Sequence, residues 1–240
     1  MPQTAFPSSQ PKEEVKLAMN SENNLHDASC DLRFLLNRGY RRKGALDFVG
    51  NRYLLDADER NFLQRTVFSN KKSQLRRSKI IPISRIKNKT LLIDGYNVLI
   101  TTESICSGDD ESVVICDDGV LRDVNAVFGK YKCKKTTKKA LNSIIALIKI
   151  YKPQNVRFFY DSPVSFSGEL AKITQQIMEA HEVPGSAETL PNVDYELVKL
   201  SQNLEGVVAS SDSVIMDKIY QMVDIPFFIK KIKEKGLVLV

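Results

Sequence analysis

The chain has 240 residues, 42% of them hydrophobic, a formal net charge of +6, four cysteines and only two histidines. This suits a globular protein with one substantial core and room for a small second domain. Its longest apolar run, within 143–150, falls far short of the roughly 20 residues of a spanning helix, so no membrane partner is expected. With no Cys-x-x-Cys pair and only His26 and His181, zinc sites and histidine-based mechanisms have little to stand on.

In chain order, residues 1–25 are rich in Pro, Ser and Gln and lack the basic start and apolar core of a secretory leader, which predicts a disordered tail and a cytoplasmic protein. Residues 26–68 read as a small basic helical domain. Leu32, Leu35 and Leu36 recur at helical spacing, Asn37 to Gly39 is a stop, and Leu46, Val49 and Tyr53 share the face of a second helix. Asp56 with Glu59 forms a capping box ahead of a third helix bearing Phe62, Leu63 and Val67. Residues 69–88, with Pro82 in a short apolar patch, read as a basic linker. Residues 26–90 carry 16 Lys and Arg against 6 Asp and Glu, whereas 91–240 carry 17 against 20. The basic clusters Arg38, Arg41, Arg42, Lys43 and Lys71, Lys72, Arg76, Arg77, Lys79 suit a polyanion, of which nucleic acid is the leading candidate. The plain alternative is that they solvate helix surfaces.

Residues 89–240 read as an α/β domain. Strand signals at 90–93, 156–160, 206–210 and "IPFFIK" (225–230) alternate with helix signals at 136–150, 168–180, 193–203 and 213–223, and "GLVLV" (236–240) reads as a last edge strand. This alternation predicts an open, mostly parallel sheet with helices on both faces. Residues 101–135 fit less well; their GDDESVVICDDG core reads as a short hairpin with an acidic turn. The four cysteines are expected as reduced thiols, with a Cys106–Cys116 disulfide as the alternative.

In such sheets the functional crevice lies beyond the carboxyl ends of the strands. Asp94 ends "LLID", Asp161 ends "RFFYD", Asp212 follows "VVASS", and Asp194 in "LPNVDYELVKL" opens a helix toward the same rim. Each has an ordinary structural use: an Asx-turn at Asp94, helix capping at Asp194 and Asp212, a turn before Pro163 at Asp161. Gathered at one rim, however, they repel one another unless a cation or donors neutralise them. With carboxylates as the donors, Mg²⁺ or Mn²⁺ is the fitting ion.

"LLIDGYNVLI", "NVDYELVKL" and "GVVASSDSVIMD" together resemble the PIN-like nuclease superfamily. Closer still, from about Asp27 onward, with "DLRFLLNRGYRRKGALDFVGNRY" and "FYDSPVSFSGELA", the chain is similar to an uncharacterised, largely archaeal family joining a small helical domain to a PIN-like one. The resemblance implies a Rossmann-like sheet whose acids bind divalent metal and hydrolyse RNA phosphodiesters. On that pattern Asp94, Asp194 and Asp212 are the catalytic acids, Asp161 joins them as a metal ligand, Asn97 orients Asp94 or the scissile phosphate, and Ser210 or Ser211 contacts phosphate oxygens. Arg41, Arg42 and Lys43 would then grip RNA. The family's further acid after its Ser-x-Asp element has no close counterpart. Asp217 lies five residues beyond Asp212, roughly 140° around a helix of 3.6 residues per turn, and points away. Asp161, or more weakly Glu169, fills that role.

The expected function is therefore a metal-dependent ribonuclease. The alternative is a noncatalytic RNA-binding or ribosome-associated protein with a degenerate site. An aspartyl-nucleophile phosphatase is disfavoured because Tyr96 replaces the second Asp of Asp-x-Asp. No nucleotide cofactor is expected, since no Gly-x-Gly-x-x-G or Walker-type loop follows the first strand. Nothing in the sequence points to a particular oligomeric state.

Overall fold

The computed structural model describes residues 11–109, 111–125, 131, 133, 135–203 and 206–237, with side chains from Asn23 onward. The chain divides into two compact units, Met1–Asn70 and Lys71–Val240.

The first unit consists of α1 (Pro11–Asn37), α2 (Arg42–Arg52) and α3 (Ala57–Thr66). Residues 11–25, expected as part of a disordered tail, lie in α1; Pro11 suits a first helical turn and the Glu, Lys, Leu, Ala and Met that follow are strong helix formers. Residues 1–10 of that tail are outside the described residues. Gly39, at φ +85°, ends the α1 reversal. The capping box forms as the sequence implies: Asp56 Oδ1 accepts from Glu59 N–H at 2.8 Å and Glu59 Oε2 from Asp56 N–H at 2.9 Å. Ala28, Leu32, Ala45, Val49, Leu55, Leu63 and Val67 make this unit's own core.

Helix α4 (Asn70–Arg77) begins at the last residue of the first unit and a 3₁₀ turn (Ile83–Ile86) follows, so the segment expected as a linker contains ordered structure, and Ile83 and Ile86 are buried in the second unit's core. That unit's sheet has four parallel strands in the order β5-β4-β1-β6: β1 (Thr90–Asp94), β4 (Asn155–Asp161), β5 (Gly185–Leu190) and β6 (Val207–Ala209). Leu91 and Ile93 face one core with α5 (Gly95–Ser107), α6 (Lys135–Tyr151), α7 (Ser167–Ala180) and α10 (Ile225–Glu234), while Leu92 faces a second core with α8 (Val193–Asn203) and α9 (Ser213–Lys218). Burial on both faces explains why β1 lacks polar alternation. The outer side of β6 is covered by Met222, which bridges Val208 and Ile80.

Several expectations change. "IPFFIK" is not a strand but the start of α10: Asp224 caps it by accepting from Phe227 N–H at 3.0 Å, Pro226 sits in its first turn, and Ile225 and Ile229 fall on one buried face. "GLVLV" forms no strand over Gly236 and Leu237, and 238–240 lie outside the described residues. The helix expected over 213–223 stops at Lys218, and the edge strand β5 was not anticipated because GSAETL is short and only partly buried. The anticipated acidic-turn hairpin is present as β2 (Val113–Ile115) and β3 (Leu121–Asp123), which pair antiparallel around Asp117, Asp118 and Gly119. None of the four cysteines is in a disulfide.

Candidate functional site

From β1 the chain proceeds outward to β4 and β5, then returns to lay β6 on the other side of β1. In parallel sheets such a reversal marks the usual ligand position, here the carboxyl ends of β1 and β6. Asp94 ends β1 and Ser210 directly follows β6.

Asp94 ends β1 and caps α5. Gly95 follows at an ordinary φ, and its role is space: a Cβ there would stand 2.3 Å from the Tyr160 ring and 2.7 Å from the Phe159 carbonyl oxygen. The missing side chain lets α5 begin against β4. Asp94 is 2% exposed. Its Oδ1 accepts from Asn97 N–H at 3.3 Å, and its Oδ2 accepts from the Asn97 side-chain amide and from Ser210 Oγ at 2.8 Å. Ser210 Oγ in turn accepts from Asp212 N–H at 3.0 Å, while Asp212 Oδ1 caps α9 through Val214 and Ile215 N–H at 2.6 and 3.1 Å. Ser211 Oγ lies 3.5 Å from Asn97 Oδ1. One network thus unites Asp94, Asn97, Ser210, Ser211 and Asp212.

The remaining two acids join it electrostatically. Asp161, at the end of β4, accepts from the Val193 N–H that starts α8, and Asp194 is the second residue of that helix. Burial pushes the Asp94 carboxyl up to about 7 against the bonds from Ser210 and Asn97, with the Asp194 charge adding to the rise. Asp194 is raised by partial loss of solvent and then by the charges of Asp212 and Asp161, opposed by Lys218. Asp161 is raised by burial against its backbone bond. The four acids singled out in the sequence therefore share one rim and one field.

Their oxygens suit a hard divalent cation. Among the described residues, no three Asp, Glu, His or Cys side chains converge closely enough to hold one ion as they stand. Asp217, as its spacing implied, turns elsewhere: it binds Arg76 at 2.7 and 3.1 Å and Lys72 at 3.5 Å. Burial tends to raise its carboxyl, but Arg76 and Lys72 together hold it below the usual range. Glu169 lies in the first turn of α7.

The basic residues divide. Arg41 and Lys43 are exposed in the first unit, whereas Arg42 donates to the carbonyls of Leu63, Gln64 and Val67 at the carboxyl end of α3 and stacks over Phe68 at 4.7 Å. On α4, Lys71, Lys72 and Arg77 are exposed, but Arg76 is 3% exposed and bound to Asp118 and Asp217; just beyond the helix, Lys79 caps α9 at the Met216 and Asp217 carbonyls. Arg122 was missed by sequence reasoning. Its guanidinium binds Asp118 at 2.7 and 2.8 Å and the Ser211 carbonyl at 2.7 Å. The available signal was a lone arginine within the acidic "CDDGVLRD".

Residues 83–227 match the family described as a domain of unknown function, DUF5616, and residues 24–79 match one described as a protein of unknown function, DUF434. The chain is 39% identical over 192 residues to the uncharacterized protein MJ0935 of Methanocaldococcus jannaschii, covering 80% of this chain and 88% of that protein. No solved structure matches it. Among the described residues no helix is long and apolar enough to cross a membrane.

Proposed function

Taking as premise that the chain belongs to the DUF5616 family, whose description names no activity, we propose that its second unit is a PIN-like, Rossmann-like metal-dependent ribonuclease domain. The observation that carries this reading is the like-charge field at the rim: Asp194 lies within reach of the charges of Asp212 and Asp161, opposed there by Lys218, and Asp94 lies within reach of Asp194. Such a cluster is costly unless a cation joins it. Asp94, Asp161, Asp194 and Asp212 would hold Mg²⁺ or Mn²⁺. When bound, the ion supplies charge neutralisation and lowers the pKa of water for attack on phosphorus. Asn97 and Ser210, which donate to the Asp94 carboxyl, would orient it, Ser211 would bond a phosphate oxygen, and the exposed Arg41, Lys43, Lys71, Lys72 and Arg77 would contact the RNA backbone.

A second reading, a noncatalytic RNA-binding protein with a degenerate site, is favoured by the burial of Asp94 and by the spacing of the acids. One experiment separates the two. Labelled pools of structured and single-stranded RNA are incubated with Mn²⁺ or Mg²⁺ and either the natural protein or Asp94→Asn. Metal-dependent cutting that disappears in the variant, with binding retained, supports the nuclease. Salt-sensitive binding without cutting by either protein supports the second reading, and equal cutting by both defeats the assignment of Asp94.

A further inference from the structure

Asp94 receives a hydrogen bond whose direction is set by a backbone peptide rather than by another carboxyl. A serine hydroxyl can donate or accept, and its rotor follows its neighbours. Here the N–H of the 211–212 peptide donates to Ser210 Oγ at 3.0 Å, which leaves the Ser210 proton for Asp94 Oδ2 at 2.8 Å. The carbonyl of that same peptide accepts from Arg122 Nε at 2.7 Å. A cation is therefore bound at one end of a single peptide unit and Ser210 at the other. Hydrogen bonds in such a chain polarise one another.

The cation itself is fixed. Arg122 is 4% exposed and bonded to both oxygens of Asp118, which is 0% exposed and also receives Arg76 at 3.1 Å. Arg76 binds Asp217 near the end of α9, the helix that Asp212 begins. The clasp thus secures the turn 210–212 through its carbonyl and the helix that follows it.

We infer that Arg122 is a positioning residue for the acidic rim, holding the Ser210 hydroxyl on Asp94 through the 211–212 peptide. Its role in cation binding rests on the nuclease reading; its coupling to Ser210 does not.

The test begins without metal. Stability is measured by denaturant titration for the natural protein, Arg122→Lys, Ser210→Ala and the double variant, with amide exchange followed at Asp212. Arg122→Lys keeps the charge but lacks the fork that binds Asp118 and Ser211 together. Non-additive losses and faster Asp212 exchange in Arg122→Lys are expected; additive losses with unchanged exchange would overturn the inference. Should Arg122→Lys fail to fold, Ser210→Cys and the exchange of Asp212 in Ser210→Ala read the same relay from its other end, where unchanged exchange counts against it. Mn²⁺ affinity is then measured by calorimetry. Both single variants are expected to bind about 10- to 100-fold more weakly, as when partners of ligating groups are removed, with the double variant little worse than either. Unchanged affinity in both would overturn the positioning role. If the natural protein binds no Mn²⁺ and cuts no RNA, the nuclease reading fails, and the coupling measured without metal alone decides the inference.

Discussion

The second unit gathers carboxylates in two places and treats them in opposite ways. Asp118 is fully buried between Arg76 and Arg122, and Asp217 answers the same Arg76, so each negative charge in the clasp has a guanidinium in hydrogen-bond contact. At the rim, Asp94 is equally buried but is held by neutral donors, and Asp161, Asp194 and Asp212 act on one another or on Asp94 mainly as like charges. Burial alone therefore does not separate a structural acid from a candidate site; the nature of the partner does. A paired acid stabilises only as part of its pair, whereas an unpaired cluster has an unmet demand for positive charge.

The largest expected effect lies in the clasp. Asp118→Ala leaves Arg76 and Arg122 facing each other without their shared carboxylate and should lower stability by about 3–5 kcal/mol, the range for breaking a buried pair from one side. Denaturant titration measures this, and a loss below about 1 kcal/mol would remove the distinction between the two regions.

The rim should respond with the opposite sign. Asp94, pushed up to about 7, carries no penalty below the ordinary carboxylate range, where it is protonated in both folded and unfolded chains. As pH rises from about 4 to 7 the unfolded chain ionises more readily, so this group's contribution to stability falls. Metal-free Asp94→Asn should consequently be more stable than the natural protein at pH 8, by about 1–3 kcal/mol, since each tenfold change in a carboxyl's proton affinity is worth ~1.4 kcal/mol and the amide forfeits charge-assisted bonds. The difference should vanish below about pH 4, and the thermal stabilisation produced by Mn²⁺ should disappear in the variant. A destabilised Asp94→Asn at pH 8 would mean that neutral donors already satisfy the carboxylate.

Asp217 sharpens the contrast through pH. Although burial works against it, Arg76 and Lys72 hold it below its ordinary value, so its stabilisation is present above the usual carboxylate range and is lost as pH falls through its folded value. Asp217→Asn should flatten the acid side of the stability profile, while Asp94→Asn flattens the change between pH 4 and 7. The smallest effect belongs to the clasp's outer member: Lys72, 61% exposed and 3.5 Å from Asp217, should change stability by less than about 0.5 kcal/mol when replaced by alanine.

Much of this comparison was legible in the sequence because it depends on local pattern. Apolar runs ending in Asp94 and Asp161, the Ser210 to Asp212 turn after β6, and the helix opening at Asp194 all lie within a few residues of the element that places them. Spacing alone also turned Asp217 away from Asp212. What failed were assignments that depend on partners distant in the chain. Arg76 reads as one more cation in a basic run until Asp118 and Asp217 meet it across separations of 42 and 141 residues. "IPFFIK" is a failure of a different, local kind: its composition is that of a strand, but the Asp224 cap, the early proline and the i, i+4 spacing of Ile225 and Ile229 make it a helix.

By itself, the sequence determined the two-part organisation, the helices of the first unit, the parallel α/β character of the second and the four acids at strand or helix ends, because hydrophobic period, capping residues and chain breaks act over one or two turns. Only the tertiary structure decided which charges meet. It placed β6 beside β1, so that Ser210 reached Asp94 across 116 residues, and brought Arg122 to the Ser211 carbonyl across 89. The energy of a charge depends on what surrounds it, and those surroundings are assembled by strand order and helix packing, which no local pattern encodes.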